Sequence, residues 1–174
     1  MRTLYKLLLT IMCLIVNANT CVSQEINYLS EIEFDNIRVD GVAWKEIQKT
    51  NGDVKAMKSL FGNTIKFKTA DDPSPRIGFW DRGFYFEFED RSGRGNFELV
   101  HFSIKNNKSN ISIKDSSATI GSDVEELDYS NSRMYGRYGS SITYMRNGSE
   151  SDPLFISFWT ASKKIYEIKF ISFN

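Results

Sequence analysis

The stretch Phe84-Tyr85-Phe86-Glu87-Phe88-Glu89 has the alternating pattern of a half-buried β-strand, with its three phenylalanines on one face. A second stretch, Leu154-Phe155-Ile156-Ser157-Phe158, repeats the same spacing of large apolar side chains 70 residues later. The two stretches therefore predict equivalent strands in two related parts of the chain.

Further segments match in the same order around these strands. Asp53 to Met57 aligns with Asp123 to Leu127 at a spacing of 70, and Phe97-Glu98-Leu99 aligns with Tyr166-Glu167-Ile168 at 69. We interpret the matches as a tandem duplication, with a first unit at 24–110 and a second at 111–174; chance similarity between aromatic-rich strands is the alternative. The two units are expected to form either one continuous sheet or two facing sheets.

Each unit is predicted to begin with a short helix. Gly52-Asp53 starts the first helix and Gly62 ends it. In the second unit, Ser122 and Glu125 have the spacing of a capping box, which predicts about two helical turns with Val124 and Leu127 facing inward.

The predicted strands follow each helix and give an α+β fold on a mainly antiparallel sheet, because no alternation of strand and helix appears. In the last strand, Tyr166, Ile168 and Phe170 are expected on one face, opposite Glu167 and Lys169. Besides the opening stretch, the predicted strands are Phe97 to Ile104, Ile142 to Met145, Leu154 to Trp159 and Ile165 to Phe173.

Residues 1–23 have the features of a secretory signal peptide. Two basic residues precede an apolar run at 7–16, which is too short to span a bilayer. We predict cleavage between Ser23 and Gln24, with cleavage after Thr20 or a retained N-terminal anchor as alternatives. A lipid anchor on Cys21 is a further alternative, although Ala18 and Thr20 fit the lipoprotein pattern poorly.

Composition limits the remaining function classes. The 174 residues contain 22 basic and 22 acidic side chains, so binding to nucleic acid through its phosphates is not expected. Both cysteines, Cys13 and Cys21, lie in the predicted leader. An exported chain without disulfides is typical of the bacterial periplasm or envelope. We expect no cofactor and no metal site, because the single histidine and the lost cysteines leave few ligands.

Catalytic candidates are few. His101 lies in an apolar strand, where a space-filling role is favoured over that of a general base. Glu87 and Glu89 are predicted on the solvent face of their strand, where acids aid solubility. We therefore predict a protein that is not an enzyme, and a small hydrolase that uses Glu87 or His101 is the least favoured reading.

The segment 129–141 has the composition of a binding loop, since it is rich in Tyr, Arg, Ser and Gly. A polar hairpin whose tyrosines pack on the core is the alternative. The turn at Trp80-Asp81-Arg82-Gly83 is a second candidate, for which we favour a structural turn with the indole packed inward. The predicted partner-binding residues are Tyr129, Arg133, Tyr135, Arg137, Tyr138, Trp80 and Arg82.

This layout resembles the tandem-repeat β-lactamase-inhibitor-protein group and its small envelope-lipoprotein relatives. The helix pattern Gly52-Asp53-Val54-x-x-Met57-x-x-Leu60-Phe61-Gly62 is similar to their short helix. The inhibitors carry a disulfide in each repeat, and this chain departs from them there. Separately, Trp80-Asp81-Arg82-Gly83 resembles a W-D-x-x-G motif of uncharacterised bacterial domains, which implies no activity.

The resemblance implies a protein-binding module, most concretely an inhibitor or immunity-type protein that blocks a toxin or enzyme in the envelope. An envelope assembly accessory, with or without a lipid anchor, is the alternative.

Overall fold

A computed structural model describes residues 26–71, 74–130, 132–135, 138–149 and 151–173. The predicted leader, with Cys21 and the cleavage position, lies outside these residues. The described part of the chain has no helix that is long and apolar enough to cross a membrane.

The molecule has an α+β fold in which a large, mainly antiparallel sheet is covered on one face by short helices and a small second sheet. The helices are α1 (Glu31–Asp35), α2 (Trp44–Lys49), α3 (Val54–Phe61) and one 3-10 turn (Val124–Glu126). The strands of the large sheet are β1 (Ile26–Leu29), β4 (Lys66–Ala70), β5 (Arg76–Trp80), β6 (Phe84–Glu89), β7 (Glu98–Ile104), β10 (Arg133–Tyr135), β11 (Gly139–Arg146), β12 (Leu154–Trp159) and β13 (Ile165–Ile171). The small sheet contains β2 (Arg38–Val39), β3 (Val42–Ala43), β8 (Ile111–Ile113) and β9 (Ser116–Ala118).

The large sheet is continuous, with the order β1-β11-β12-β13-β7-β6-β5-β4 and β10 paired beside β1 on β11. Two meanders, β4 to β7 and β10 to β13, meet where β7 pairs antiparallel with β13, with Phe102 opposite Phe170. Of the two sheet arrangements that the sequence allowed, the structure has the single continuous one. One pair departs from the antiparallel pattern, because β1 runs parallel to β11.

The core lies between the inner face of the large sheet and the covering layer. Phe84, Phe86 and Phe88 are all buried there, as the opening stretch of sequence predicts. Trp44, at the start of α2, is 1% exposed, and its ring centroid lies 5.5 Å from that of Phe102 and 4.9 Å from that of Phe170. The covering layer is therefore packed directly over the junction of the two meanders.

The first predicted helix is confirmed as α3. The Asp53 side chain accepts a hydrogen bond from the Ala56 N–H at 2.7 Å, which satisfies one of the free donors of the first turn. Gly62 follows the helix with a φ of +90°, a conformation that favours glycine.

The second predicted helix is shorter than expected, since it is only the 3-10 turn. The predicted capping box is wrong: the Asp123 side chain caps the turn by accepting from the Glu125 N–H, while the Ser122 hydroxyl accepts from the Thr119 N–H. The inward pair is confirmed, because Val124 and Leu127 are both buried.

The face prediction for the last strand is wrong at Tyr166. Ile168 and Phe170 are buried, but Tyr166 is 38% exposed. A bulge in the pairing of β12 with β13 places Phe158 opposite Ile165 and omits Tyr166. The extra residue moves Tyr166 out of the core face.

Candidate functional site: the outer face of the large sheet

We call the side of the large sheet that faces away from the core the outer face. The alternation of side chains along each strand assigns residues to this face, and the pairing aligns them in rows. The best-defined row crosses the sheet from β4 to β1 and consists of Lys66, Trp80, Tyr85, Ser103, Lys169, Phe155, Thr143 and Ile26.

The floor of the outer face is formed by small polar side chains. Ser103, Ser141 and Thr143 are each only 3% exposed although they point away from the core. A groove of about 220 Å³ lies on β11 to β13, and it is lined by Ser141, Phe155, Ser157, Tyr166, Glu167, Lys169 and Ile171. The face is therefore recessed, a shape that can receive a convex partner.

Two aromatic side chains project beside this groove. Trp159 is 49% exposed and Tyr166 is 38% exposed, with ring centroids 4.4 Å apart. Large aromatic groups left in contact with water are typical of contact surfaces, since their burial by a partner is strongly favourable.

A network of charged side chains lies on the other half of the outer face, on and beside β5 and β6. Arg76 bonds Glu89 at 2.8 Å and lies 3.5 Å from Glu87, and Arg91 bonds Glu89 at 3.0 Å. Ser74 donates to the same carboxylate. The bond from Ser74, with those from Arg91 and Arg76, lowers the pKa of Glu89 to about 2.

Both acids lie on the outer face of β6, as predicted, but Glu89 is buried within the network, so its predicted exposure to solvent is wrong.

A glycine allows the tyrosine of this network to lie flat. A Cβ at position 78 would stand 2.9 Å from the Tyr85 hydroxyl oxygen, so the tyrosine ring occupies the space that a side chain would fill. The Tyr85 hydroxyl donates to Glu87 at 2.5 Å. Burial, followed by this bond, raises the pKa of Tyr85 above its ordinary value.

His101 lies half-buried on the outer face, opposite Glu87. Burial lowers the pKa of His101, and the positive charge of Lys169 lowers it further. Glu87 bonds Tyr85 and Arg76, and within the described part of the chain the His101 side chain makes no hydrogen bond. Glu87 and His101 are therefore cross-strand neighbours that are not joined by a hydrogen bond among the described residues.

The structure places the predicted partner-binding residues in several locations. Trp80 is half-buried on the outer face between Lys66 and Tyr85, so the expected inward packing of its indole is wrong. Arg82 is exposed in the turn after β5, where its carbonyl accepts from Asn106 at 2.9 Å.

Two parts of the predicted binding segment at 129–141 lie in paired strands, β10 and the start of β11. The register sets Arg133 opposite Ser141 and Tyr135 opposite Gly139. Tyr138 is 66% exposed beside them, and Arg137 lies outside the described residues. Tyr129 is half-buried against the core and does not contribute to this face.

Trp80 and the strand β10 thus belong to the same sheet, but they are separated by six strand spacings, about 29 Å. The sequence prediction does not include the residues between them, above all Phe155, Trp159, Tyr166 and Lys169. The signal was present in the sequence: Phe155 is an aromatic residue at a position that alternates with core residues.

Comparison of the chain with protein-family models, with curated proteins and with solved structures finds no match. Within the described ranges, no group of three or more His, Cys, Asp or Glu side chains is arranged to hold a metal ion.

One buried hydroxyl on this face gives a stability prediction. Ser103 Oγ has no hydrogen-bond partner among the described residues. We expect Ser103→Ala to raise the free energy of unfolding by about 1 kcal/mol in urea denaturation, because an unpaired buried hydroxyl is removed.

Ser141→Ala is the matched control, since Ser141 is equally buried but donates to the Ile142 carbonyl at 3.4 Å. That variant should lower stability slightly. A loss of stability in Ser103→Ala would contradict the assignment.

Proposed function

We propose that the protein is an exported bacterial binding protein that holds a partner protein on its outer face. The most concrete form is an inhibitor or immunity-type protein that covers the working surface of a toxin or enzyme in the periplasm or envelope. The observation that carries the proposal is the outer face, which no helix or strand of the described residues covers, with Trp159 and Tyr166 exposed beside the groove.

The proposed tandem duplication is consistent with the order of the strands. Each meander ends in the strand that pairs with the other, so the order outward from the β7–β13 junction is the same on both sides. A helical segment precedes each meander, α3 in one case and the 3-10 turn in the other. Duplication of a small unit is a simple way to make a face wider than either unit could supply.

Proposed export rests on the leader and on a fold that needs no disulfide. The core contains many large, fully buried aromatic and aliphatic side chains drawn from both meanders. A core of this kind is sufficient for a domain of about 150 residues.

The test is capture of a partner from an envelope fraction of the cells that make the protein. We expect the immobilised protein to retain a partner that the double variant Trp159→Ala/Tyr166→Ala retains at least tenfold less, because exposed aromatic anchors dominate binding. The control is Ile32→Ala, which removes a side chain that is 74% exposed on α1, on the opposite side of the molecule.

An activity assay of the purified partner then distinguishes an inhibitor from an assembly accessory. An inhibitor reduces the partner's activity when it is added in equal amount, whereas an assembly accessory leaves that activity unchanged. Equal retention by the wild type, the double variant and Ile32→Ala would overturn the outer face as the binding site.

A further inference from the structure

Four lysines of the outer face form no ion pair with a carboxylate of the described residues. Lys66 lies opposite Trp80, Lys68 opposite Gly78, and Lys169 opposite Ser103. Lys105 directly follows β7 and is close enough for its charge to lower the pKa of His101. None of the four nitrogens lies within 4.0 Å of a carboxylate of the described residues.

Two acidic residues of the same face, Glu87 and Glu89, already bond other side chains. Glu87 accepts from Tyr85 and Arg76, and Glu89 accepts from Ser74, Arg76 and Arg91. Among the described residues, the exposed carboxylates that remain on this face are Glu98, which is outside the network, and Glu167 beside the groove. The face therefore carries excess positive charge, although the whole chain is neutral.

The lysines are spaced for a macromolecular partner. Lys66 and Lys169 belong to the same row and are four strand spacings apart, about 19 Å. Trp80, Tyr85 and Ser103 lie between them in that row. A flat aromatic strip between two cations matches a protein surface that has carboxylates around an apolar centre.

We propose that the partner held on the outer face presents an acidic surface, whose aspartate and glutamate side chains meet Lys66, Lys68, Lys105 and Lys169. This inference rests on the proposed function and specifies its partner. Complementary charge speeds association and excludes partners of the wrong sign.

Protection of a sheet edge explains only half of these lysines. Lys66 and Lys68 lie on β4, an edge strand, where lysines discourage pairing with another chain. Lys169 lies on β13 and Lys105 follows β7, and these two strands are at the centre of the sheet. The central pair cannot serve edge protection.

The test uses fluorescent poly-L-glutamate as an acidic polypeptide probe on the full chain at low salt. The face variant is Lys68→Gln/Lys105→Gln/Lys169→Gln. The control is Lys45→Gln/Lys49→Gln/Lys55→Gln, which removes three exposed cations from α2 and α3 and gives the same net charge. We expect the face variant to bind the probe about tenfold more weakly and with a shallower salt dependence, and the control to change less than threefold.

A partner from the envelope capture gives the second measurement. The partner should associate with the face variant about tenfold more slowly than with the wild type. Its association rate with the control variant should equal that with the wild type. Equal losses in both variants would overturn the acidic-partner inference while leaving the proposed function standing. Failure to capture any partner would overturn the proposed function whatever the probe shows. If heparin binds more tightly than poly-L-glutamate and its binding depends on these lysines, the face would be assigned to an anionic glycan. That result would overturn the proposal of a protein partner.

Discussion

Replacing Trp44 by alanine is expected to lower the free energy of unfolding by about 4 kcal/mol, the largest loss that we predict for a single substitution. The indole is 1% exposed and contacts Phe34, Phe102 and Phe170 edge-on. Phe102 and Phe170 are cross-strand partners at the β7–β13 junction, so the cavity would open where the two meanders meet. Urea denaturation followed by circular dichroism measures the change.

Trp159→Ala is the matched control for this prediction. Trp159 is the same residue type as Trp44, but its side chain is 49% exposed and lies on the outer face of the sheet rather than in the core. Its loss should cost less than about 1 kcal/mol, in keeping with a surface substitution. A similar loss for both variants would show that Trp44 does not hold the junction together.

Replacing Glu89 by glutamine is expected to cost about 2 kcal/mol at pH 7, because the charged acceptor of two arginines becomes neutral. Glu89 is 8% exposed, and its carboxylate is bonded by Ser74, Arg76 and Arg91. The control is Glu98→Gln on the neighbouring strand, opposite Glu89, where the side chain is exposed. That variant should stay within about 0.5 kcal/mol of the wild type.

The pH dependence follows from the same carboxylate. Folding lowers the pKa of Glu89 from 4.5 to about 2, so its contribution is complete above pH 4.5 and is lost as the pH falls toward 2. The difference in stability between the wild type and Glu89→Gln should therefore shrink over that interval. A difference that stays constant from pH 7 to pH 2 would show that the network does not depend on the charge of Glu89.

The elements that the sequence predicts well are those whose signals are local. α3 is marked by Asp53 at its start and Gly62 at its end, and β6 is marked by three alternating phenylalanines. The small sheet was missed because β2, β3, β8 and β9 are only two or three residues long. Strands that short have no readable alternation.

The outer face could be predicted only in part, because it depends on which strands become neighbours. The sequence predicts Glu87 on the solvent side of its strand, but its hydrogen bond to Arg76 follows from the pairing of β5 with β6. The alternation of the sequence predicts the wrong face for Tyr166, because a single bulge shifts the pattern at this residue. Pairing between distant strands and local bulges leave little trace in one sequence.

The parallel pairing of β1 with β11 also bears on the order of events during synthesis. Ile26 pairs with Thr143, so the first strand is made more than a hundred residues before the strand that completes it. At ribosomal speed, on the order of 10 residues per second, that interval is about ten seconds. Throughout it the emerging β1 lacks its strand partner, and the finished sheet can close only after nearly the whole chain has been released.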